Sequence, residues 1–259
     1  MYEAINIAAT GLQSQQRRLD TIAHNVSNIN TAAYKSTRLD FKDALYTAGL
    51  VPALPRTRDP EGNQQKGHGV MVAGTTKDFS TGAIQATGRQ IDFAIEGEGF
   101  FALSDPEGET VYTRSGSFNL SVEDDGIYLV NSAGYYVQDA DGERIMIPEY
   151  TEKIGVPENG MITFSVGEDE TNVMLGVYTF RNLTGLLSDG NSNYSESVAS
   201  GERMPADGAR IRQGVLEISN VKLSEEMTRM IRTQRAFSLA SKALTTSDEM
   251  EGIANNMRR

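Results

Sequence analysis

Apolar residues at both ends of the chain recur at a spacing of seven. Near the N-terminus they are Ile5, Leu12, Leu19 and Val26. Near the C-terminus they are Leu223, Met230, Phe237 and Leu244. A heptad repeat produces a narrow apolar stripe, and such a stripe packs lengthwise against other helices. The pattern therefore predicts two long terminal helices of roughly 25 and 35 residues that pair like a coiled coil.

Amide side chains lie at the edges of these predicted helices. The first helix runs into Asn25, Asn28 and Asn30, whose amides can satisfy the backbone groups that are freed at a helix end. Local turns at a solvent-facing helix end are the alternative reading. Ser219 or Asn220 is predicted to cap the start of the second helix.

The middle of the chain has a different pattern. Short β-branched and aromatic runs, among them GIYLVN and MITFSV, alternate with the turn sequences DPEG, DDG, SAG and DADG. Such strands, with no helical run between them, favour an antiparallel sandwich or barrel-like domain. The expected fold is α+β, with an N-terminal helix (1–35), an extended arm or linker (36–69), a central β domain (70–209) and a C-terminal helix (210–259).

Charge is concentrated in the middle as well. Residues 51–209 carry ten basic and twenty-five acidic side chains, and the whole chain has a formal charge of −11. A surface this acidic does not attract nucleic acid or an anionic membrane. With no apolar run near 18 residues, no insertion into a membrane is expected.

Candidate chemistry is sparse. The chain has no cysteine, and its two histidines, His24 and His68, have no metal-ligand spacing. The GEGFFA stretch beginning at Gly97 resembles a dinucleotide fingerprint, but another strand follows it, so glycines that bend two strands explain it better. No catalytic, cofactor-binding or metal-binding residue is assigned, and the protein is not expected to be an enzyme.

Three longer stretches resemble the bacterial flagellar rod and hook proteins. AATGLQSQQRRLDTIAHNVSNINTAAYK (8–35) is similar to the N-terminal signature of that family, GTTKDFSTGAIQATGRQIDFAIEGEGFFAL (74–103) to its central motif, and SNVKLSEEMTRMIRTQRAFSLASKALTTSDEM (219–250) to its C-terminal motif. The length and the C-terminal motif most resemble the distal rod protein. A more proximal rod component of similar size or a short hook protein is the alternative.

The resemblance implies a structural subunit of the basal-body rod, located in the cell envelope. It implies export through the flagellar apparatus without a cleaved signal peptide, self-assembly into a hollow helical drive-shaft, and contacts with neighbouring rod and hook proteins. The self-assembly residues would be the two heptad stripes with Asn25, Asn28 and Asn30. The sequence departs from the family at Ala32-Ala33. Relatives usually have proline, asparagine or aspartate followed by glycine at these two positions, so with alanine here a positive φ is not expected.

Overall fold

The fold combines two long helices with many short strands. The computed structural model describes residues 2–44, 46–48, 65–105, 107–148, 153–156, 160–166, 169–206 and 208–257. Helix α1 spans Tyr2–Ser27 and helix α2 spans Leu223–Asn256, with 26 and 34 residues, so both predicted helices are confirmed. No helix in the described ranges is long and apolar enough to cross a membrane.

The strands follow one another in short steps. In chain order they are β1 (Thr37–Asp43), β2 (Tyr46–Ala48), β3 (Gln65–Gly67), β4 (Val70–Lys77), β5 (Ile84–Ala86), β6 (Phe93–Glu96), β7 (Phe100–Ser104), β8 (Thr110–Thr113), β9 (Phe118–Glu123), β10 (Gly126–Asn131), β11 (Tyr136–Val137), β12 (Met146–Ile147), β13 (Lys153–Gly155), β14 (Met161–Val166), β15 (Asp169–Met174), β16 (Val177–Thr179), β17 (Leu187–Gly190), β18 (Asn193–Ser195), β19 (Met204–Pro205), β20 (Arg210–Gln213) and β21 (Val215–Glu217). A short 3₁₀ turn, Leu183–Gly185, precedes β17.

The largest sheet that the structure describes has the strand order β12-β10-β11-β7-β8-β18-β17, with β9 on β10 and β16 on β7. Its neighbouring strands run antiparallel. Separate antiparallel pairs join β6 to β20 and β5 to β21. The α+β class with central antiparallel sheets is therefore confirmed.

Strand β7 separates two hydrophobic clusters because its side chains alternate between the two faces of the sheet. Phe101 and Leu103 belong to a cluster with Phe93, Phe118 and Ile162. Phe100 and Ala102 belong to the second cluster, with Tyr112, Phe180 and Tyr194. All five residues of β7 are buried, and the four that fill the two clusters, Phe100 to Leu103, are all apolar.

The predicted turns form with a shared geometry. Asp105, Asn131 and Asp139 each accept backbone N–H bonds from the residues two and four positions later. The DDG turn closes the β9–β10 hairpin, in which Glu123 pairs with Gly126. Strand β9 itself is missing from the sequence prediction, although its sequence FNLSVE alternates apolar and polar residues; two of its apolar side chains, Leu120 and Val122, are exposed.

The chain divides into two compact units. One contains 1–26, 37–76 and 223–259, so the terminal helices pack together there with β1 to β4; the other contains 27–36 and 77–222. Within the predicted arm, β1 pairs with β4 and β2 with β3. Residue 45 and residues 49–64 of that arm lie outside the described residues. Helix α2 begins at Leu223 rather than at 210, and the four-part division by sequence remains a prediction.

Two local expectations are wrong. Ala33 has a φ of 54°, a left-handed conformation, because its buried N–H donates to the Glu217 carbonyl across a tight turn. Ser219 and Asn220 lie three or more residues before α2. The Ser219 hydroxyl accepts from the N–H of Val221, and the Asn220 amide accepts from Ser36 and donates to Asp78. Asn220 therefore bridges separate segments rather than capping the helix.

Candidate functional site: the buried cluster at the roots of the terminal helices

The segment that follows α1 and the segment that precedes α2 are joined by backbone hydrogen bonds. Ala33 donates to Glu217, and Asn220 donates to Tyr34. The side chain of Asn220 also accepts from the N–H of Ser36 at 2.8 Å. These bonds hold residues 33–36 alongside 217–220 within the compact unit of residues 27–36 and 77–222, which is called the β region from here on.

A buried ion cluster lies at this junction. The Glu217 carboxylate accepts from Lys35 Nζ at 2.7 Å through Oε1 and from Arg114 Nε at 2.7 Å through Oε2. The side chains of Lys35, Glu217 and Arg114 are 1%, 1% and 4% exposed. A buried carboxylate requires such partners, because an unpaired charge in the interior is very costly.

Backbone groups complete the cluster. Arg114 donates to the carbonyls of Gly97 and Gly99 at 2.6 Å each and to that of Ile95 at 3.1 Å. Gly97 has a φ of 111°, so the GEG stretch is a bend that turns its carbonyls towards the guanidinium, and the interpretation of bending glycines agrees with the structure.

The remaining contacts to Glu217 and Lys35 come from the loop before β5. The N–H of Gly82 donates to Glu217 Oε1 at 2.7 Å, and the Ser80 carbonyl accepts from Lys35 Nζ at 2.7 Å. A side chain at position 82 does not fit, because its Cβ would lie 2.0 Å from the Ile218 carbonyl.

The charges in the cluster perturb each other. Burial by itself would raise the pKa of Glu217, but attraction to Arg114 and Lys35 outweighs burial and lowers that pKa. Burial lowers the pKa of Lys35 despite its pairing with Glu217, and repulsion from Arg114 acts in the same direction. Two cations around one anion favour the ionised form of Glu217. The charged form of Lys35 is favoured less than usual, because burial and Arg114 both lower its pKa.

The predicted assembly residues divide into internal and outward groups. Asn25 is buried and clamps Thr37, donating to its carbonyl and accepting from its N–H at 2.9 Å each. Asn28 accepts from the hydroxyl of Thr31. Asn30 is exposed. The three asparagines therefore differ in their contacts and exposure, although they belong to one motif in the sequence.

The heptad stripes also differ between the helices. Ile5, Leu12, Leu19 and Val26 are all half-buried. On α2, Met230, Phe237 and Leu244 are half-buried, but Leu223 is exposed. Helix α2 carries further exposed apolar side chains, namely Met227, Ile231, Leu239, Met250 and Ile253. The part of these residues in self-assembly remains a prediction.

Sequence reasoning missed Lys35, Arg114 and Glu217. Lys35 and Glu217 are 182 residues apart, so no local pattern connects them. The available signal was Glu217 itself, a single carboxylate in the apolar run VLEI that follows Gly214. Two of the segments that carry the family resemblance contribute to this cluster, 8–35 through Lys35 and 74–103 through backbone groups such as Gly82, whereas Glu217 lies two residues before the third. Among the residues described, no group of three or more potential metal ligands occurs.

These observations are typical of a structural assembly protein: the two long terminal helices carry exposed apolar side chains, and the β region encloses two hydrophobic clusters. Sequence comparisons agree with this class. Three family profiles match, namely the flagella basal body rod protein (residues 5–35), the flagellar hook protein FlgE/F/G D1 domain (residues 94–164) and the flagellar basal body rod FlgEFG protein C-terminal (residues 212–257).

Relatives that align over almost the whole chain identify the family within this class of assembly proteins. The chain is 40% identical to the flagellar basal-body rod protein FlgG of Borreliella burgdorferi and 34% identical to that of Bacillus subtilis, over all of both chains in each case. It is 35% identical to FlgG of Agrobacterium fabrum, covering 97% of this chain and 98% of that one. The chain belongs to the family of flagellar basal-body rod proteins FlgG. It is a structural, non-enzymatic subunit of the distal rod and assembles with flagellar rod components.

Proposed function

We propose that copies of this chain polymerise through their terminal helices into a hollow helical tube, which serves as the drive-shaft that transmits torque to the hook. A contact between two different surfaces that does not close on itself generates an open filament. Long interlocked helices then resist twisting. Neighbouring rod and hook proteins at the two ends and the flagellar export apparatus are the proposed partners, as the family resemblance implies.

One observation carries this proposal: α2 leaves a large apolar surface uncovered. Met227 is 53% exposed, Ile231 51% and Leu239 67%. The clusters of the β region, by contrast, bury their large apolar side chains almost completely. Several exposed large apolar side chains on one helix favour a site of protein association. Neighbouring copies in a polymer supply the cover that the single chain lacks.

The test is electron microscopy of the purified chain with increasing concentration. The proposal expects negative-stain images of straight rods or tubes above a threshold concentration, and dispersed particles below it. Particles that remain dispersed at every concentration, from protein whose β region melts cooperatively, would contradict self-assembly. Secretion and swimming of cells that carry the chain as their sole copy give the matching test in vivo.

A further inference from the structure

The chain passes four times between the two compact units, after residues 26, 36, 76 and 222. The first and the last pass lie at the end of α1 and the start of α2, and the other two enclose residues 37–76. Within the β region, the segments beside three of these passes are hydrogen-bonded to one another. We name them the three anchor segments: residues 33–36, 77–82 and 217–222.

Asn220 contacts both of the other anchor segments through one side chain. Its Oδ1 accepts from the backbone N–H of Ser36 at 2.8 Å. Its Nδ2 donates to the carbonyl of Asp78 at 2.8 Å, and it lies 3.2 Å from both the carbonyl and the hydroxyl oxygen of Ser80. Ser36 and Asp78 are 184 and 142 residues away from Asn220 in sequence, so one carboxamide joins three distant parts of the chain.

Backbone hydrogen bonds complete the arrangement. The N–H of Asp78 donates to the carbonyl of Ser36 at 2.9 Å, and the N–H of Asn220 donates to the carbonyl of Tyr34 at 3.3 Å. Each anchor segment is therefore bonded to the other two. Hydrogen bonds in one network support each other, because breaking one of them loosens the groups that make the next.

The chemistry of the position selects asparagine. A carboxamide carries an acceptor oxygen and an NH₂ donor, so it can bond to an N–H on one side and to carbonyls on the other. Aspartate keeps the acceptor for Ser36, but it has no donor and turns a negative oxygen towards the carbonyls of Asp78 and Ser80. Alanine keeps neither function.

We propose that Asn220 is the positioning residue that holds the three anchor segments together as one unit, so that they share the load when the rod carries torque. Without it, a force on the chain at one pass loads a single segment, and the segments separate one after another. The heptad stripes take no part in this role, which is distinct from polymerisation. The inference rests on the proposed torque-bearing polymer.

Hydrogen exchange in the dilute full-length chain tests whether the segments open together. In Asn220→Ala the Ser36 amide loses its acceptor, so faster exchange is expected there for purely local reasons. The Asp78 amide keeps its acceptor, the Ser36 carbonyl, so its exchange accelerates only if the segments are coupled. We expect an acceleration of about fivefold or more at both amides. An unchanged rate at Asp78 would overturn the inference.

The matched control is another bridging asparagine of the β region. Asn182 donates to the carbonyl of Ala199 at 2.9 Å and accepts from the hydroxyl of Thr184 at 2.8 Å, outside the anchor segments. Asn182→Ala should leave exchange at Ser36 and Asp78 unchanged. Acceleration at Asp78 in this control would show that any lost bridge loosens the β region, and the specific role of Asn220 would be refuted.

Asn220→Asp separates the two sides of the carboxamide. The variant keeps an acceptor for the Ser36 N–H but loses the donor to Asp78 and Ser80. If the link between all three segments matters, exchange at Asp78 should accelerate in this variant as it does in Asn220→Ala. A wild-type rate at Asp78 would show that the bond to Ser36 is sufficient, and it would overturn the assigned role.

Rods test the mechanical role. Asn220→Ala should assemble, but its rods should break into shorter pieces than wild-type or Asn182→Ala rods after equal passage through a narrow needle. Cells with Asn220→Ala as the sole copy should swim in dilute medium and stop in viscous medium, where the load torque is higher. Shear resistance and viscous swimming equal to wild type would overturn the inference and leave the proposed function intact. A wild-type chain that forms no rods would refute the proposed function and with it the mechanical role of Asn220.

Discussion

The β region and helix α2 differ in where their apolar side chains lie. The β region encloses two hydrophobic clusters, although Val122 and Val198 outside them are exposed, whereas no apolar side chain of α2 is buried in the single chain. In the β region, Phe101 and Leu103 on one face of β7 and Phe100 and Ala102 on the other are almost fully buried within the chain. On α2, the apolar side chains alternate between half-buried and exposed positions. The β region therefore encloses apolar side chains within the single chain, while α2 leaves apolar side chains exposed at the surface by which we propose that copies associate.

The largest expected effect lies in the β region, at the buried cluster. Glu217→Gln removes the carboxylate between Lys35 and Arg114 and leaves two cations buried without compensation. We expect a loss of about 3–5 kcal/mol in the free energy of unfolding, measured by urea denaturation of the monomer. The control is Glu96→Gln, which breaks the exposed pair with Arg212 and should cost less than about 1 kcal/mol. Equal losses in the two variants would show that the cluster contributes no more than a surface pair.

Lowering the pH should reduce the free energy of unfolding through the same Glu217 carboxylate. The pKa of Glu217 is lowered in the folded chain, so its stabilising effect is complete above the ordinary pKa of 4.5. The effect is lost as the pH falls from that value through the lowered pKa of the native state. Unfolding free energies measured across this range should fall more steeply for the wild type than for Glu217→Gln. Parallel curves would contradict the ionised state assigned to Glu217.

A smaller effect is expected at the end of α1. Asn25→Ala removes both bonds to Thr37, and the buried backbone groups of Thr37 then lose their partner. Hydrogen exchange at the Thr37 amide should accelerate by about tenfold or more, a change that corresponds to roughly 1–2 kcal/mol of local stability. Asn30→Ala, at an exposed amide, should leave this exchange rate in the monomer unchanged. Acceleration in both variants would mean that the Asn25 clamp is not specific.

The smallest expected effect is on the stability of the β region, and it has opposite signs for glycine substitutions at the adjacent Ala32 and Ala33. Ala33→Gly relieves a left-handed backbone conformation and should stabilise the β region by about 0.5 kcal/mol. Ala32→Gly, at a residue without positive φ, should destabilise it by a similar amount, since glycine gains freedom in the unfolded chain. Thermal melts of the two variants should therefore shift in opposite directions. A shift in the same direction would show that the strain at Ala33 is relieved by its surroundings.

The parts of the fold that sequence could predict are those whose signals are local. A heptad repeat fixes a helix within a few turns, so α1 and α2 were recognised along most of their length, and GIYLVN and MITFSV correspond to β10 and β14 residue for residue. The turns at Asp105 and Asp139 also carry their own geometry in adjacent residues.

The site depended on distant residues. Glu217 finds Lys35 and Arg114 only after the strands have paired, and the same pairing forces Ala33 into a conformation that its sequence disfavours. Likewise, no periodicity distinguishes Asn25, which clamps its own chain, from Asn30, which faces outwards. Tertiary contacts decide these roles, and local propensity does not report them.

The central claim is that the terminal helices form the polymer contacts while the β region folds within the single chain. It is tested most directly at Leu12 and Leu244, which are half-buried in the heptad stripes of α1 and α2. Aspartate at either position places a carboxylate in an apolar helix contact, at a cost of several kcal/mol per subunit that assembly repeats along the filament. Gln13→Asp, next to Leu12 on the exposed face, is the matched control, and Glu107→Lys in the DPEG turn is a second control in the β region.

The measurement combines a thermal melt of each monomer with negative-stain microscopy of concentrated protein and a swimming assay, with secretion of each variant verified. The account predicts that Leu12→Asp and Leu244→Asp abolish rods and motility while the melting temperature of the β region stays unchanged, and that both controls assemble. Straight rods and motile cells from Leu12→Asp or Leu244→Asp would contradict the claim that the heptad stripes of the terminal helices build the polymer.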